Sequence, residues 1–173
     1  MFGKMIMTVS CSLLLLPAAG NATNLWTEYF HTESGGRTFG ARETTLDVFG
    51  SLNIPDNRDF FEGRLGIGVG VNHFFTPWLG IGADTGVDKF DWPNHFNGSV
   101  MFRYPIEKWH LAPYFFTGVG RQFHDVSQWT WHFGGGVDYR LNQKTGLFAD
   151  LRETMPDVSR DFMLWRFGVR FQL

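Results

Sequence analysis

One histidine, one serine and one glutamate of the chain are candidates for a nucleophilic hydrolysis site. His124, Ser127 and Glu153 could supply a base, a hydroxyl nucleophile and an acid, which together activate a serine for acyl transfer. Asp125 and Val126 separate the histidine from the serine, and this stretch lies in a predicted loop. We therefore interpret His124 and Ser127 as solvated loop residues and expect no catalytic site.

The other histidines and the glycines do not suggest a metal site or a cofactor. No histidine has the spacing of a His-Glu-x-x-His zinc motif, and the glycine-rich stretches open no helix as phosphate-binding loops do. The remaining histidines are His31, His73, His95, His110 and His132. We interpret His132 as a hydrogen-bonded interior residue and expect neither a metal nor a cofactor.

Residues 1–22 have the layout of a secretory signal peptide. Lys4 precedes a mostly apolar run over 5–17, small residues follow, and cleavage is expected after Gly20 or Ala22. The only cysteine, Cys11, leaves a lipoprotein signal open, but the apolar run continues past it to Leu16. The cleaved chain would therefore contain no thiol and no disulfide.

The composition and charge of the remaining chain argue against two classes of protein. The formal charge is −2, and it becomes one unit more negative without the leader's single lysine, which argues against a nucleic-acid binder. No later stretch approaches the roughly 20 apolar residues of a membrane helix. The chain is instead rich in Gly (21) and Phe (19), with apolar residues at alternate positions.

Alternating apolar residues predict about eight β-strands, because successive side chains of a strand point to opposite faces. The last segment alternates most cleanly, and the turn at Thr76 and Pro77 predicts a hairpin between the second and third segments. The segments are 43–54, 64–72, 79–87, 96–104, 111–119, 131–141, 147–152 and 163–173.

Charge is confined to one face of these predicted strands. The face with the large apolar residues carries no Asp, Glu, Lys or Arg within the segments. The other face carries Asp47, Arg64, Asp84, Arg103, Asp138, Arg140, Asp150, Arg152, Arg166 and Arg170. We predict that these ten side chains form a compensated charge network, since an unpaired buried charge is costly.

The direction of the two faces follows from the size of an eight-stranded barrel. Its interior is only wide enough to be filled by side chains, and could not hold a large apolar residue at nearly every position. If the apolar face meets lipid, its lack of charge is explained, because an arginine at the bilayer midplane costs roughly 2–4 kcal/mol. Closure also gives every backbone group a partner in hydrocarbon. The sequence therefore predicts a closed antiparallel up-and-down transmembrane β-barrel.

Aromatic residues cluster near the predicted strand ends, as in the interfacial girdles of membrane barrels. One girdle comprises Trp78, Tyr104, Trp109 and Tyr139, and the other comprises Trp92, Trp129, Trp131, Phe162 and Trp165. Surface loops are expected at 55–61, 87–94, 123–129 and 155–161.

The C-terminal residues resemble the assembly signal of outer-membrane barrels, which combines a polar residue, a glycine, an aromatic residue and a terminal hydrophobe. Arg166, Gly168, Phe171 and Leu173 match it, with leucine in place of the usual terminal aromatic residue. Repeats such as 66–71, 75–82 and 112–120 make residues 43–173 resemble the small outer-membrane barrels related to the OmpA transmembrane domain. The resemblance implies a bacterial outer-membrane location, outer-membrane lipid and lipopolysaccharide as neighbours, and the barrel-assembly machinery as a partner.

Residues 23–42 fall outside the predicted strands, and a periplasmic tail, an amphipathic surface segment and an extra extended piece are all open for them. We expect a monomeric barrel, residues 43–173, with a structural or surface-interaction role in the envelope. Two alternatives stay open, a lipid A-modifying enzyme and a narrow ion-conducting pore. One observation argues against the enzyme. Outer-membrane lipid A deacylases have a single residue between His and Ser, whereas two residues lie between His124 and Ser127.

Overall fold

A computed structural model describes residues 38–55, 64–88, 95–123 and 127–173. These residues belong to one compact unit, Gly36–Leu173. The predicted leader, Cys11 and residues 23–37 lie outside the described residues, as do most of the first two predicted loops and His124. In the described ranges, no helix is long and apolar enough to cross a membrane.

The alternating segments form eight antiparallel strands in a closed barrel, in which each strand pairs with its neighbours in the sequence and β8 pairs with β1. This confirms the predicted fold class. A short 3-10 helix, Glu107–Trp109, lies between β4 and β5. The strands are β1 Glu43–Pro55, β2 Arg64–Phe74, β3 Leu79–Asp88, β4 His95–Arg103, β5 Leu111–Gln122, β6 Gln128–Arg140, β7 Thr145–Pro156 and β8 Phe162–Gln172.

The register of the strands sets the tilt of the barrel. A path that passes from each residue to its paired residue in the next strand starts at Glu43 and returns to β1 at Asn53. The path therefore arrives ten residues further along β1. Such a stagger requires tilted strands and gives an interior that side chains fill. Every residue on this path belongs to the face that points inward.

The two ends of the barrel differ in their connections. We call the end where β1 begins and β8 ends the turn end. Its connections are 75–78, 104–110 and 141–144, whereas those at the opposite, loop end are 56–63, 89–94, 123–127 and 157–161. In outer-membrane barrels the short turns face the periplasm and the longer loops face outward.

The outer wall of the described strands is apolar, and large side chains such as Ile67, Val69, Phe115 and Phe167 are about half exposed there. Strands β5 and β7 extend further toward the loop end than the alternation indicated. They add Arg121 and Glu153, which are the only Asp, Glu, Lys or Arg residues on the outward face of the described strands.

The aromatic residues of the two girdles are mostly exposed at the expected ends. Tyr104 and Trp109 at the turn end, and Trp129 and Trp131 at the loop end, are each more than half exposed. Phe162 is a correction, because it occupies an inward position and lines a cavity at the loop end. Trp92 lies outside the described residues.

Candidate functional site in the barrel lumen

The inward face brings together most of the charged residues that the alternation selected. Asp47, Asp84, Arg103, Asp138, Arg140, Asp150, Arg152, Arg166 and Arg170 are all buried. Arg64 is the exception, because it is the first residue of β2 and its side chain is exposed at the loop end. The prediction that Arg64 belongs to the interior is therefore wrong.

One group of ion pairs occupies the turn end, and we call it the turn-end cluster. Its members are Glu43, Asp47, Arg103, Asp138, Arg140 and Arg170. Glu43 was missed in the sequence, although it precedes Asp47 by four residues and therefore has the same inward parity. Its carboxylate accepts from Arg103 Nη2 at 2.9 Å and also from Arg140 Nη2.

Arg170 links the two aspartates of the turn-end cluster. Its Nε and Nη2 donate to the two oxygens of Asp47 at 2.7 Å each, and its Nη1 donates to Asp138 Oδ2 at 2.8 Å. Such forked pairing is the arrangement that the planar guanidinium favours. Asn72 Nδ2 donates to Asp47 Oδ2 at 2.8 Å, so this carboxylate receives a further bond.

A second group, the loop-end cluster, consists of Asp84, Asp150, Arg152 and Arg166. Arg152 binds both oxygens of Asp84, at 3.0 and 2.6 Å, and Arg166 binds both oxygens of Asp150 at 2.8 Å. Arg166 also lies 3.2 Å from Asp84, which joins the two pairs. The Tyr114 hydroxyl donates to Asp150 at 2.7 Å.

The charges of the two clusters balance. The turn-end cluster contains three acids and three arginines, and the loop-end cluster contains two of each. The set predicted from sequence had an excess of two arginines, which disappears when Glu43 replaces Arg64. A neutral interior is what burial favours, since each uncompensated charge would have to be desolvated alone.

Aromatic rings provide a second layer of stabilisation that the sequence did not reveal. Each of the five buried arginines has its guanidinium carbon within 5.3 Å of the centre of a ring. At such distances a cation is attracted to the face of the ring. The pairs are Arg103 with Phe74, Arg140 with Phe39, Arg152 with Phe116, Arg166 with Phe49 and Arg170 with Phe148.

Inward glycines make room for these rings. A Cβ at Gly68 would collide with the Phe49 ring, and a Cβ at Gly134 would lie 2.6 Å from Phe116 Cζ. The glycines therefore allow aromatic rings and long arginine side chains to share a narrow lumen.

Residues 38–40, from the segment that had no predicted structure, close the turn end. The Phe39 side chain is fully buried and lies 5.0 and 5.3 Å from the guanidinium carbons of Arg103 and Arg140. The Glu107 carboxylate accepts the backbone N–H groups of Thr38 at 3.0 Å and Phe39 at 3.3 Å. The 3-10 helix thereby holds the segment across the mouth of the barrel.

The loop end contains a small cavity of about 20 Å³, enough for one or two water molecules. Asn53, His95, Gln122, Thr130 and Arg152 are among its lining residues. Arg152 Nε and Asn53 Oδ1 are buried and have no hydrogen-bond partner among the described residues. A further space of about 10 Å³ lies between the clusters. The lumen is thus nearly filled.

The interior position of His132 agrees with its interpretation from sequence. The residue is 1 % exposed, and its Nε2 lies 2.9 Å from Ser99 Oγ. In the described residues, no group of three or more His, Cys, Asp or Glu side chains is placed to hold a metal ion.

The structure does not bring Ser127 and Glu153 together. Glu153 pairs with Phe133, six residues after Ser127 in the chain, which corresponds to roughly 20 Å along β6. The Ser127 hydroxyl accepts a hydrogen bond from Arg121 Nε at 3.0 Å.

The residues of the C-terminal signal lie on both faces of β8. Arg166 and Gly168 point inward, whereas Phe171 is outward and 39 % exposed. Leu173 follows the strand, is 76 % exposed, and its backbone N–H donates to Thr44 O at 2.9 Å.

A closed barrel with an apolar wall and a polar, filled interior is the architecture of a small bacterial outer-membrane protein. The structural similarities agree. The N-terminal β-barrel domain of Pseudomonas aeruginosa OprF is 17 % identical, with a TM-score of 0.62 over 78 % of this chain and 99 % of that one.

Two further solved structures have the same fold. The attachment invasion locus protein Ail of Yersinia pestis is 11 % identical, with a TM-score of 0.54 over 76 % of this chain and 97 % of that one. Neisserial surface protein A is 12 % identical, with a TM-score of 0.53 over 76 % and 96 % of the two chains. No family model and no curated protein matches the sequence. The predicted resemblance to small outer-membrane barrels is confirmed at the level of fold.

Proposed function

We propose that this protein stabilises the outer membrane as a structural barrel and presents its loop end to the surroundings, without catalysing a reaction. The observation that carries the proposal is the neutral, nearly filled lumen. Five arginines and five acids occupy the described interior, and the spaces lined by Arg152 at the loop end and by residues between the two clusters measure only about 20 and 10 Å³. Such an interior suits a rigid wall element better than a pore for solutes.

The loop end supports a rigid presenting surface. The Gln128 side chain binds the β7–β8 loop through its oxygen, which accepts from the backbone N–H groups of Val158 at 3.2 Å and Ser159 at 3.1 Å. Its amide nitrogen donates to Gln122 and to the Ser159 hydroxyl, each at 2.8 Å. One side chain thus connects β5, β6 and this loop.

A gene deletion tests the structural role. We expect cells without the protein to become more sensitive to detergents and large antibiotics, while their lipid A mass spectrum stays unchanged. An acyl-chain difference that disappears in a Ser127→Ala strain would contradict the proposal and support the enzymatic alternative.

Conductance of the purified protein in planar bilayers tests the pore alternative. The filled lumen predicts a current indistinguishable from that of protein-free bilayers. Steady channels in the wild-type protein would show that the interior opens and would overturn this part of the proposal.

We also propose that the barrel-assembly machinery reads the end of β8. The exposure of Phe171 and Leu173 makes both side chains available to such a partner. Phe171→Ala should lower the fraction of protein that shows the heat-modifiable gel migration of folded barrels, with Val169→Ala on the same face as the control. Equal folded fractions in the two variants would count against this partner.

A further inference from the structure

We propose that Arg121 forms, with the aromatic residues around it, a binding site for the phosphate group of an outer-leaflet lipid. The inference goes beyond the structural role proposed above and needs only the outer-membrane location. Its starting point is the outward position of this arginine in a barrel whose other strand arginines are inward.

The position of Arg121 corresponds to the level of lipid headgroups. It is the penultimate residue of β5 at the loop end, where the outer leaflet meets water, and its side chain is exposed. Its cross-strand partners, Phe96 and Trp129, are 55 % and 57 % exposed. Aromatic residues of this kind sit at the interface between acyl chains and headgroups.

Contacts with its neighbours orient the guanidinium. Nε donates to Ser127 Oγ at 3.0 Å, and the guanidinium carbon lies 5.3 Å from the centre of the Trp129 ring and 5.9 Å from that of Phe123. A guanidinium fixed through Nε presents its two Nη groups as a fork. Two parallel N–H donors are the arrangement that matches phosphate oxygens.

The residues around Arg121 favour a lipid with a phosphate group as the ligand. The rings cover the side of the arginine and offer apolar surface to the upper acyl chains, while the cation attracts an anionic headgroup. Diphosphoryl lipid A and anionic phospholipids share the phosphate that such a site would bind.

Native mass spectrometry of the purified barrel tests the site. The protein is incubated with equal amounts of phosphatidylcholine and either diphosphoryl lipid A or phosphatidylglycerol, and the lipids that remain bound are counted. We expect the wild type to prefer the anionic lipid and Arg121→Gln to lower this preference about fivefold. Arg121→Lys, which keeps the charge but loses the fork, should fall between the two.

Arg64→Gln is the matched control, because Arg64 is also exposed at the loop end but starts β2 on the inward parity. It should leave the preference unchanged. An effect of Arg121→Gln with both anionic lipids assigns the site to phosphate in general, whereas an effect with lipid A alone assigns it to lipopolysaccharide. An unchanged preference in Arg121→Gln, or an equal loss in Arg64→Gln, would overturn the proposal. Heat-modifiable migration verifies that each variant is folded.

Discussion

Different kinds of residues line the two ends of the lumen. At the turn end, the buried Phe39 ring lies against Arg103 and Arg140, whose partners Glu43 and Asp138 are also buried. At the loop end, Arg152 lines a small polar cavity together with amide and hydroxyl side chains. An ion pair below an apolar seal cannot replace a lost partner with water, whereas an ion pair beside a water-sized space can. The turn-end pairs should therefore depend more strongly on their protein partners than the loop-end pairs do.

The largest effect should come from removing the cation that joins Asp47 and Asp138. Arg170→Gln leaves two buried carboxylates with reduced compensation, which should lower the free energy of unfolding by about 3–5 kcal/mol. Urea titration of the refolded barrel in lipid vesicles, followed by tryptophan fluorescence, measures the loss.

Arg152→Gln removes the matching cation at the loop end. Asp84 would keep Arg166 and Asn97 as partners, and the adjacent cavity could admit water, so the loss should be only about 1–3 kcal/mol. A loss equal to or larger than that of Arg170→Gln would show that the two ends do not differ as described.

Removing the apolar seal should have an effect between those of Arg170→Gln and Arg152→Gln. Phe39→Ala deletes a fully buried ring and exposes Arg103 and Arg140 to water, with a cost of roughly 3 kcal/mol in the same titration. Thr38→Ala, a neighbouring and partly buried position, is the control and should change stability little. Wild-type stability in Phe39→Ala would mean that the ring does not seal the turn end.

The packing of rings between the two clusters can be tested with a methyl group. Gly68→Ala places a Cβ against the Phe49 ring, which lies under Arg166, and should cost roughly 2 kcal/mol. Gly98→Ala, in β4, is the control, because the nearest atom to its Cβ would be Val119 O at 3.9 Å. Equal unfolding free energies for these two variants would argue against a tightly packed lumen.

The smallest effect should come from the clamp on the Phe39 segment. Glu107→Gln keeps an acceptor but loses the charge of a hydrogen-bonded group near the surface, so global stability should fall by less than about 1 kcal/mol. Hydrogen exchange of the Thr38 and Phe39 amides should nevertheless become faster. Unchanged exchange at both amides would show that Glu107 does not hold the segment.

The strands could be predicted from sequence because their side chains alternate with a period of two, and a membrane allows charge on only one face. The same parity selected nine buried charged residues, and it would also have selected Glu43 had the first residue of β1 been counted. The alternation wrongly predicted a buried side chain for Arg64, because an inward position at the end of a strand is open to water.

Other features depend on contacts between distant parts of the chain. Glu107 binds residues almost seventy positions away, and neither its exposed position nor the composition of 38–40 signals a seal. The pairing of each buried arginine with a ring depends on strand register and tilt. The sequence indicated which residues face inward but not how they are paired.

We infer that the apolar face contacts lipid and that the charged face fills the lumen. Spin labels at Val69 and Phe167 in reconstituted protein test it most directly, with labels at the exposed positions Asn142 and Val158 as references for water contact. We expect that oxygen, which concentrates in the bilayer, relaxes the first two labels, and that a water-soluble nickel complex relaxes the other two. Strong relaxation by the nickel complex at Val69 and Phe167 would contradict it.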